Sequence, residues 1–308
     1  MLARIFSKTS PLNYLIVGVL SFLFFLFYLF SIRTPLTIIL FLKEFGSYLV
    51  LLASLLLVNF ILQKNNLTKN NTYTLLFFLI FILFFPKIFS NKAVIISNFF
   101  ILLSLRKILS LKINTNIKEK IFDATFWILI ASLFYFWSIF FILLVFASII
   151  LHASNDYKNW VVPFVSFASI FIIFIMVSFI TSDNIYTYFN EHTATSFVFS
   201  YFDNIYQQIS LALFSSFSIL IVANQIIDLG NKPLNMQSLY KLVFLAFLIG
   251  VAIFVVSVNK NNSFLIFSIA PLAIISANFL EKIEDNWLKE TIIIGLFALG
   301  VFFFFVQL

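Results

Sequence analysis

The apolar residues of this chain stand in runs of about 15 to 25 positions, separated by short polar gaps. A hydrocarbon core about 30 Å thick is crossed by roughly 20 helical residues, so each run has the length of a membrane-spanning helix. The runs are apolar all round, whereas strands of a membrane barrel alternate apolar and polar residues. Other spanning structures would leave backbone groups unpaired in lipid. The sequence therefore predicts an all-α, polytopic transmembrane helix bundle.

The composition predicts a single integral membrane domain over residues 1–308. Apolar side chains make up 62% of the chain and charged side chains only 10%, which leaves too little polar surface for a soluble domain. The absence of Cys excludes disulfides, thiol catalysis and Cys-ligated metals. The net charge of +7 is typical of basic cytoplasmic loops in a membrane protein. We therefore expect membrane lipids as partners and no nucleic acid.

Eleven apolar segments are candidate spans, and some of them are short or re-entrant. The thirty apolar positions of residues 122–151 form either two spans that divide near Tyr135–Trp137 or one long tilted helix. Residues 32–43 either lie flat at the outer interface or extend the second span. With residues 122–151 divided, the candidate spans are residues 11–31, 44–62, 72–86, 93–105, 122–136, 137–151, 160–181, 208–227, 241–258, 263–280 and 290–307.

The distribution of Lys and Arg predicts that the N-terminus lies inside. The loop 106–120 is the densest basic stretch, and it falls inside with eleven spans. The longest outside loop, 182–207, contains three acidic residues and no Lys or Arg. If residues 122–151 were one span, this acidic loop would become cytoplasmic, which the charge rule disfavours. The expected location is the bacterial cytoplasmic membrane, with multiple crossings.

The motifs of several enzyme classes are missing. The chain has no HExxH, no GxSxG and no glycine-rich phosphate-binding loop. His152 and His192 are predicted to lie on opposite sides of the membrane, so we expect no metal site and no cofactor. The predicted spans contain few acidic residues near their middles, which argues against an ion-coupled transporter.

A cluster of charged side chains is predicted at the outer face. Guanidinium and ammonium groups bind phosphate, and a neighbouring carboxylate can act as a general base. These groups could together hold a lipid-linked phosphosugar, although each could also anchor its helix at the interface. The residues are Arg33, Lys43 and Glu44 in the first outer loop, Lys87 and Lys92 in the second, and Glu191 and His192 in the long loop.

Other polar or helix-breaking residues in the apolar segments have structural interpretations beside functional ones. Asp123 opens the fifth span, where the helix dipole favours an acid. Asn98, Asn224 and Gln225 are expected to form hydrogen bonds between helices. Pro271 kinks its span for packing or shapes a cavity.

Two stretches resemble the polytopic GT-C type glycosyltransferases, which depend on polyprenyl phosphate. The first is residues 122–151, where Ala131 and Ser132 stand in place of the glycines of the family segment. The second is residues 261–282, in which Pro271 matches a central proline, but no Arg precedes it. The chain as a whole also resembles an uncharacterised family of bacterial polytopic membrane proteins. The GT-C resemblance implies a catalytic acid in the first outer loop, where Glu44 is the nearest acid.

The resemblance and the outer cluster together suggest handling of a lipid-linked saccharide at the outer face of the membrane. In this interpretation Glu44 is catalytic, and the substrate is a polyprenyl-phosphate-linked sugar. Arg33 and Lys43 hold the phosphate, while Glu191 and His192 contact the acceptor. The small number of polar residues equally suggests a non-catalytic scaffold or assembly subunit with a membrane protein partner. A transporter is the third alternative.

Overall fold

The computed structural model describes residues 2–32, 37–181, 193–197, 204–258 and 260–308, and these residues contain helices but no strand. Short 3₁₀ turns occupy Ser110–Lys112, Phe136–Phe141, Leu229–Asn231 and Asn262–Leu265. The α-helices of the described residues are α1 (Leu2–Phe6), α2 (Pro11–Ser31), α3 (Ile38–Asn65), α4 (Tyr73–Leu83), α5 (Lys87–Ser90), α6 (Lys92–Leu109), α7 (Ile117–Phe134), α8 (Ile142–His152), α9 (Lys158–Thr181), α10 (Ile205–Asp228), α11 (Leu234–Val256), α12 (Ile266–Lys282) and α13 (Asn286–Gln307).

Among the described residues, eight helices are long and apolar enough to cross a membrane: α2, α3, α6, α9, α10, α11, α12 and α13. The chain is therefore a multi-pass membrane protein. The apolar helices α4 and α8 are shorter, and α7 carries several charged residues in its first two turns. The expected count of eleven crossings needs all three of these helices as well, so it stays a proposal.

Polar contacts between helix termini show which termini lie at the same end of the bundle. At one end, Lys118 at the start of α7 pairs with Asp156 just after α8 at 3.3 Å. Lys282 and Asp228, which terminate α12 and α10, meet at the same end at 2.6 Å. We call this the basic end because it carries most of the cations of the described residues: Arg4, Lys8, Lys64, Lys69, Arg106, Lys107, Lys112, Lys118, Lys120, Lys158, Lys232, Lys241, Lys282 and Lys289.

At the other end of the bundle, which we call the opposite end, two contacts join neutral polar side chains. Asn91 Nδ2 at the start of α6 donates to Ser263 Oγ before α12 at 3.1 Å. The hydroxyls of Tyr135 and Ser257 lie 2.6 Å apart, which joins the end of α7 to the end of α11.

A short helix lies at the centre of the bundle. Each of the eleven residues of α4 is at most 3% exposed, and its neighbour α12 is buried almost throughout. A helix that is apolar on every side must be enclosed by protein or by lipid, and α4 is enclosed by protein. In contrast, α9 and α13 are among the least buried of the long helices and provide much of the lipid-facing surface.

The long apolar stretch 122–151 is divided into two helices, which was one of the two predicted alternatives. Helix α7 ends at Phe134, because Tyr135 is extended with φ −146° and ψ 107°. After the 3₁₀ turn, α8 runs back to the basic end, as the Lys118–Asp156 contact requires. The two helices therefore form an antiparallel hairpin and not one tilted helix.

Several predicted boundaries need correction. The expected loop 106–120 is mostly helical, because α6 continues to Leu109 and α7 already begins at Ile117. Long basic side chains reach the interface from within a helix, so they do not mark its end. Of the segment 32–43, residues 38–43 belong to α3 and extend the second predicted span, which was one of the two alternatives, so they do not form a separate flat segment. Thr37 Oγ1 accepts a hydrogen bond from Leu40 N at 3.2 Å and caps that helix.

Candidate functional site

An ion pair at the opposite end joins two of the residues predicted for the outer cluster. Glu44 lies in the second turn of α3, and Lys92 is the first residue of α6. Lys92 Nζ lies 2.6 Å from Glu44 Oε1. The Glu44 side chain is 7% exposed and that of Lys92 is 33% exposed. The pair thus has a buried anionic half and an accessible cationic half.

The local sequence explains how Lys92 is positioned. Asn91 caps α6, because its Oδ1 accepts a hydrogen bond from Val94 N at 3.4 Å. The same amide donates to Ser263, so the first turn of α6 is fixed against the segment before α12. Lys92 therefore extends from a tethered helix start and not from a free loop.

The aromatic side chain of Tyr28 lies near the Glu44 carboxylate. Tyr28 of α2 interacts electrostatically with Glu44 and stacks on Phe89 with ring centroids 5.4 Å apart. Phe45, the next residue of α3, stacks on Phe41 at 5.8 Å. Within the described part of the chain, Glu44 Oε2 is buried and has no hydrogen-bond partner. A buried charge with one unpaired oxygen is energetically costly, which is more typical of a functional site than of simple packing.

This geometry defines what the pair can do chemically. The unpaired carboxylate oxygen can accept a proton or a hydrogen bond from a hydroxyl group that approaches it. The Lys92 ammonium is accessible and can contact a phosphate while it remains near Glu44. A base and a phosphate-binding cation are therefore adjacent in a water-poor environment.

The other predicted site residues are placed as follows. Lys43 precedes Glu44 on α3 and is exposed, so the two side chains point about 100° apart around the helix. Arg33, Glu191 and His192 lie outside the described residues. Glu44, which was assigned to the first outer loop but also stands at the start of the predicted span 44–62, lies within α3, which begins at Ile38.

A polar network that the sequence did not reveal lies at the same end. Lys260 is only 2% exposed, and its ammonium donates to the carbonyl oxygens of Ser196 and Ser257. Burial lowers the pKa of Lys260. Ser196 N also donates to Val256 O at 3.2 Å, so residues 193–197 lie against the end of α11. Lys260 stands in the gap between the predicted spans 241–258 and 263–280, and only the fold reveals its burial.

The remaining polar candidates have varied environments. Asp123 lies in the second turn of α7 and pairs with Lys107 at 2.6 Å, so it is not the helix-start acid that was expected. Asn224 accepts a hydrogen bond from Lys282 at 3.4 Å, as expected for a contact between helices. Gln225 is buried, yet within the described residues neither of its amide atoms has a partner. Pro271 lies fully inside α12, in the packed centre of the bundle.

The fold and this site define a multi-pass, all-helical membrane protein with a buried ion pair near one end. The chain belongs to the family of unknown function DUF6427, whose model matches residues 1–308. No curated protein and no solved structure gives a significant match to the chain. Family membership agrees with the expected resemblance to uncharacterised polytopic proteins, and it provides no activity.

Proposed function

We propose that this protein binds a lipid-linked saccharide at the opposite end of the bundle and transfers its sugar, on a GT-C-like scaffold. The observation that carries the proposal is the buried Glu44 carboxylate beside the accessible Lys92 ammonium. One carboxylate oxygen is paired, and within the described residues the other has no hydrogen-bond partner. A substrate that carries both a phosphate and a reacting hydroxyl fits such a pair.

The proposed location of the site is the outer side of the bacterial cytoplasmic membrane. Cytoplasmic segments of membrane proteins are enriched in Lys and Arg, and most of the described cations lie at the basic end. The basic end then faces the cytoplasm and the N-terminus lies inside. Eleven crossings, with α4, α7 and α8 included, would bring the C-terminus to the outside.

The proposed roles follow the sequence-based assignment. Glu44 is the acid or base, Arg33 and Lys43 hold the phosphate, and Glu191 and His192 contact the acceptor. The pairing of Glu44 adds an element to this scheme. Lys92 contacts the substrate phosphate while it remains near Glu44, so its ammonium group bridges the phosphate and the carboxylate.

The proposed reaction is the substitution of one bond at the anomeric carbon of the sugar. The acceptor hydroxyl attacks this carbon and gives its proton to Glu44. The new glycosidic C–O bond forms while the C–O bond to the polyprenyl phosphate breaks. The leaving phosphate keeps the bonding electron pair, and cationic side chains stabilise its charge.

The test uses full-length protein in phosphatidylcholine nanodiscs with undecaprenyl-phosphate-linked glucose as the probe and water as the acceptor hydroxyl. We expect the wild type to release undecaprenyl phosphate, detected by mass spectrometry. Arg33→Ala and Glu44→Gln should each abolish release, because one loses a phosphate ligand and the other loses the base. Protein abundance should remain unchanged in both variants.

Asp123→Asn is the matched control for this experiment. Asp123 pairs with Lys107 at the same 2.6 Å, but at the basic end. Release should therefore persist in Asp123→Asn. Wild-type release in both Arg33→Ala and Glu44→Gln would rule out the assigned roles.

The ion pair also suits the alternative of a non-catalytic subunit. Lys92 neutralises the charge of Glu44 and fastens the start of α6 to α3, which a purely structural role would require. This alternative predicts a stable protein partner that co-purifies in mild detergent. It also predicts that charge changes at the opposite end leave the complex intact.

The sidedness is tested independently of any activity. Because the chain has no Cys, single substitutions give unique labelling sites. Thr195→Cys lies at the opposite end and Asn114→Cys at the basic end, and both positions are exposed. A membrane-impermeant maleimide should label Thr195→Cys in intact cells and Asn114→Cys only after permeabilisation. Labelling of both in intact cells, or the reverse pattern, would contradict the proposed orientation.

A further inference from the structure

Four cations from three helices are gathered at the basic end. They are Lys64 near the end of α3, Arg106 and Lys107 in the last turn of α6, and Lys120 in the first turn of α7, and we call them the cation patch. The Arg106 guanidinium lies 4.9 Å from the centre of the Phe60 ring, and Lys64 Nζ lies 5.8 Å from the same ring.

The charges of the cation patch are only partly balanced. Lys107 pairs with Asp123 at 2.6 Å. Lys120 donates to the carbonyl oxygens of Ser110 and Ile113 at 2.9 and 2.7 Å, and the ammonium groups of Lys64 and Lys107 repel it. Within the described residues, no carboxylate forms an ion pair with Lys64, Arg106 or Lys120. Several like charges held together favour the binding of an anion.

Helix dipoles do not explain the cation patch as a whole. Cations in the last turns of α3 and α6 are stabilised by the negative ends of those helices. Lys120 lies in the first turn of α7, where the dipole disfavours a cation. Hydrogen bonds to the carbonyl oxygens of Ser110 and Ile113 hold Lys120 there, close to Lys64 and Lys107.

An apolar stripe leads along α3 to the cation patch. Leu49, Leu56 and Phe60 are each more than 40% exposed, and their spacing places them on one face of the helix. Lys64 follows Phe60 by one turn on that face. The stripe is about 16 Å long at 1.5 Å per residue, and it lies within a span that faces lipid. An acyl chain can lie on this stripe with its phosphate at the cation patch.

We propose that the cation patch binds the phosphate headgroup of an anionic phospholipid in the leaflet at the basic end. Arg106 and Lys64 supply the direct contacts because their side chains reach the exposed Phe60 ring. Lys120 raises the local positive potential from a position that its carbonyl partners fix, while Asp123 balances the charge of Lys107. The site is separate from the Glu44–Lys92 pair and does not depend on the proposed transferase activity.

The experiment measures lipid preference on the full-length protein by native mass spectrometry. Phosphatidylglycerol and phosphatidylcholine are the two probes, each added to delipidated protein in detergent. We expect the wild type to retain phosphatidylglycerol preferentially. Each basic residue near an anionic headgroup contributes about fivefold in affinity, so the double variant Lys64→Gln/Arg106→Gln should lose roughly 25-fold.

Two further variants test whether a loss of lipid preference comes from the cation patch itself, from the lower net charge or from misfolding. Lys8→Gln/Lys289→Gln removes the same charge from the basic end outside the cation patch and should keep the preference. Arg106→Lys retains the charge and should keep most of the preference for phosphatidylglycerol. That result would show that a substitution at this position does not by itself unfold the site. Equal losses in the two double variants, or no loss in Lys64→Gln/Arg106→Gln, would overturn the proposal.

A second experiment with a water-soluble phosphate ester tests whether the phosphate at the cation patch comes from a lipid headgroup or from a soluble molecule. Glycerol 3-phosphate is added at the same concentrations, and its effect on thermal stability is compared with that of phosphatidylglycerol. The lipid should stabilise the wild type more strongly, because the stripe on α3 contributes apolar contact that the soluble ester lacks. Equal stabilisation by both probes would show that the site takes a soluble phosphate ester and that the lipid assignment is wrong.

Discussion

Gly250→Ala is expected to lower the stability of the folded protein substantially, although alanine is the better helix former. A Cβ atom at Gly250 of α11 would lie 2.7 Å from the carbonyl carbon of Phe267 and 2.7 Å from the backbone nitrogen of Ser268. Both neighbours belong to α12, whose backbone is enclosed in the packed centre and cannot easily move. Because the clash is with backbone atoms, the cost of overpacking should reach about 3 kcal/mol, which exceeds the gain of about 1 kcal/mol in helix propensity.

The matched controls are Gly46→Ala and Gly295→Ala. Both glycines lie within helices, and a Cβ atom at either would meet no other atom within 4 Å. The controls should therefore match or exceed the stability of the wild type, measured as the midpoint of thermal unfolding in detergent. A Gly250→Ala midpoint equal to that of Gly295→Ala would show that α11 and α12 are not in close backbone contact.

Lys92→Met is expected to destabilise the protein more than Glu44→Gln does, although both remove the same ion pair. Lys92→Met leaves the Glu44 charge buried beside aromatic rings without its counterion. Loss of one partner from a buried pair costs about 3 kcal/mol. Glu44→Gln leaves Lys92, which is 33% exposed and can extend toward water. We expect this second variant to cost about 1 kcal/mol.

The double variant Glu44→Gln/Lys92→Met completes a thermodynamic cycle. Because it has no unpaired charge, it should recover most of the stability lost in Lys92→Met. The comparison pair is Lys107–Asp123, whose side chains are 33% and 39% exposed. Its coupling should be at most about 1 kcal/mol, as for surface pairs. Similar coupling energies for the two pairs would contradict the burial assigned to Glu44.

The helical architecture could be predicted from the sequence because lipid imposes one length and one polarity on each crossing. The division of residues 122–151 near Tyr135 was predicted as one of two alternatives, since thirty apolar positions exceed what a single untilted span requires. The boundaries near residues 106–120 could not be predicted. There the helices extend into sequence that is basic, and a polar composition does not distinguish a helix end at the interface from a loop.

The arrangement of the site was less accessible to sequence reasoning. Glu44 and Lys92 were both expected at the outer face, but their direct pairing depends on how α3 packs against α6. Apolar spans are alike in sequence, so they contain little information about which spans are neighbours. The same limit applies to α4, because a run of apolar residues reads identically whether lipid or protein surrounds it. Lys260 is a further example, since only the packing reveals its burial.

The enclosed position of α4 has a consequence for how the protein assembles during synthesis. An eleven-residue helix is about 16 Å long, close to half the thickness of the hydrocarbon layer, so it is poorly suited to stand alone in a bilayer. Much of its cover comes from segments encoded far later, including α13, where Gln307 Nε2 donates to Phe84 O at 3.3 Å. Insertion into the membrane therefore cannot proceed as a simple series of independent crossings. We expect the insertion machinery or transient neighbouring helices to cover α4 until the later helices, including α13, have been synthesised.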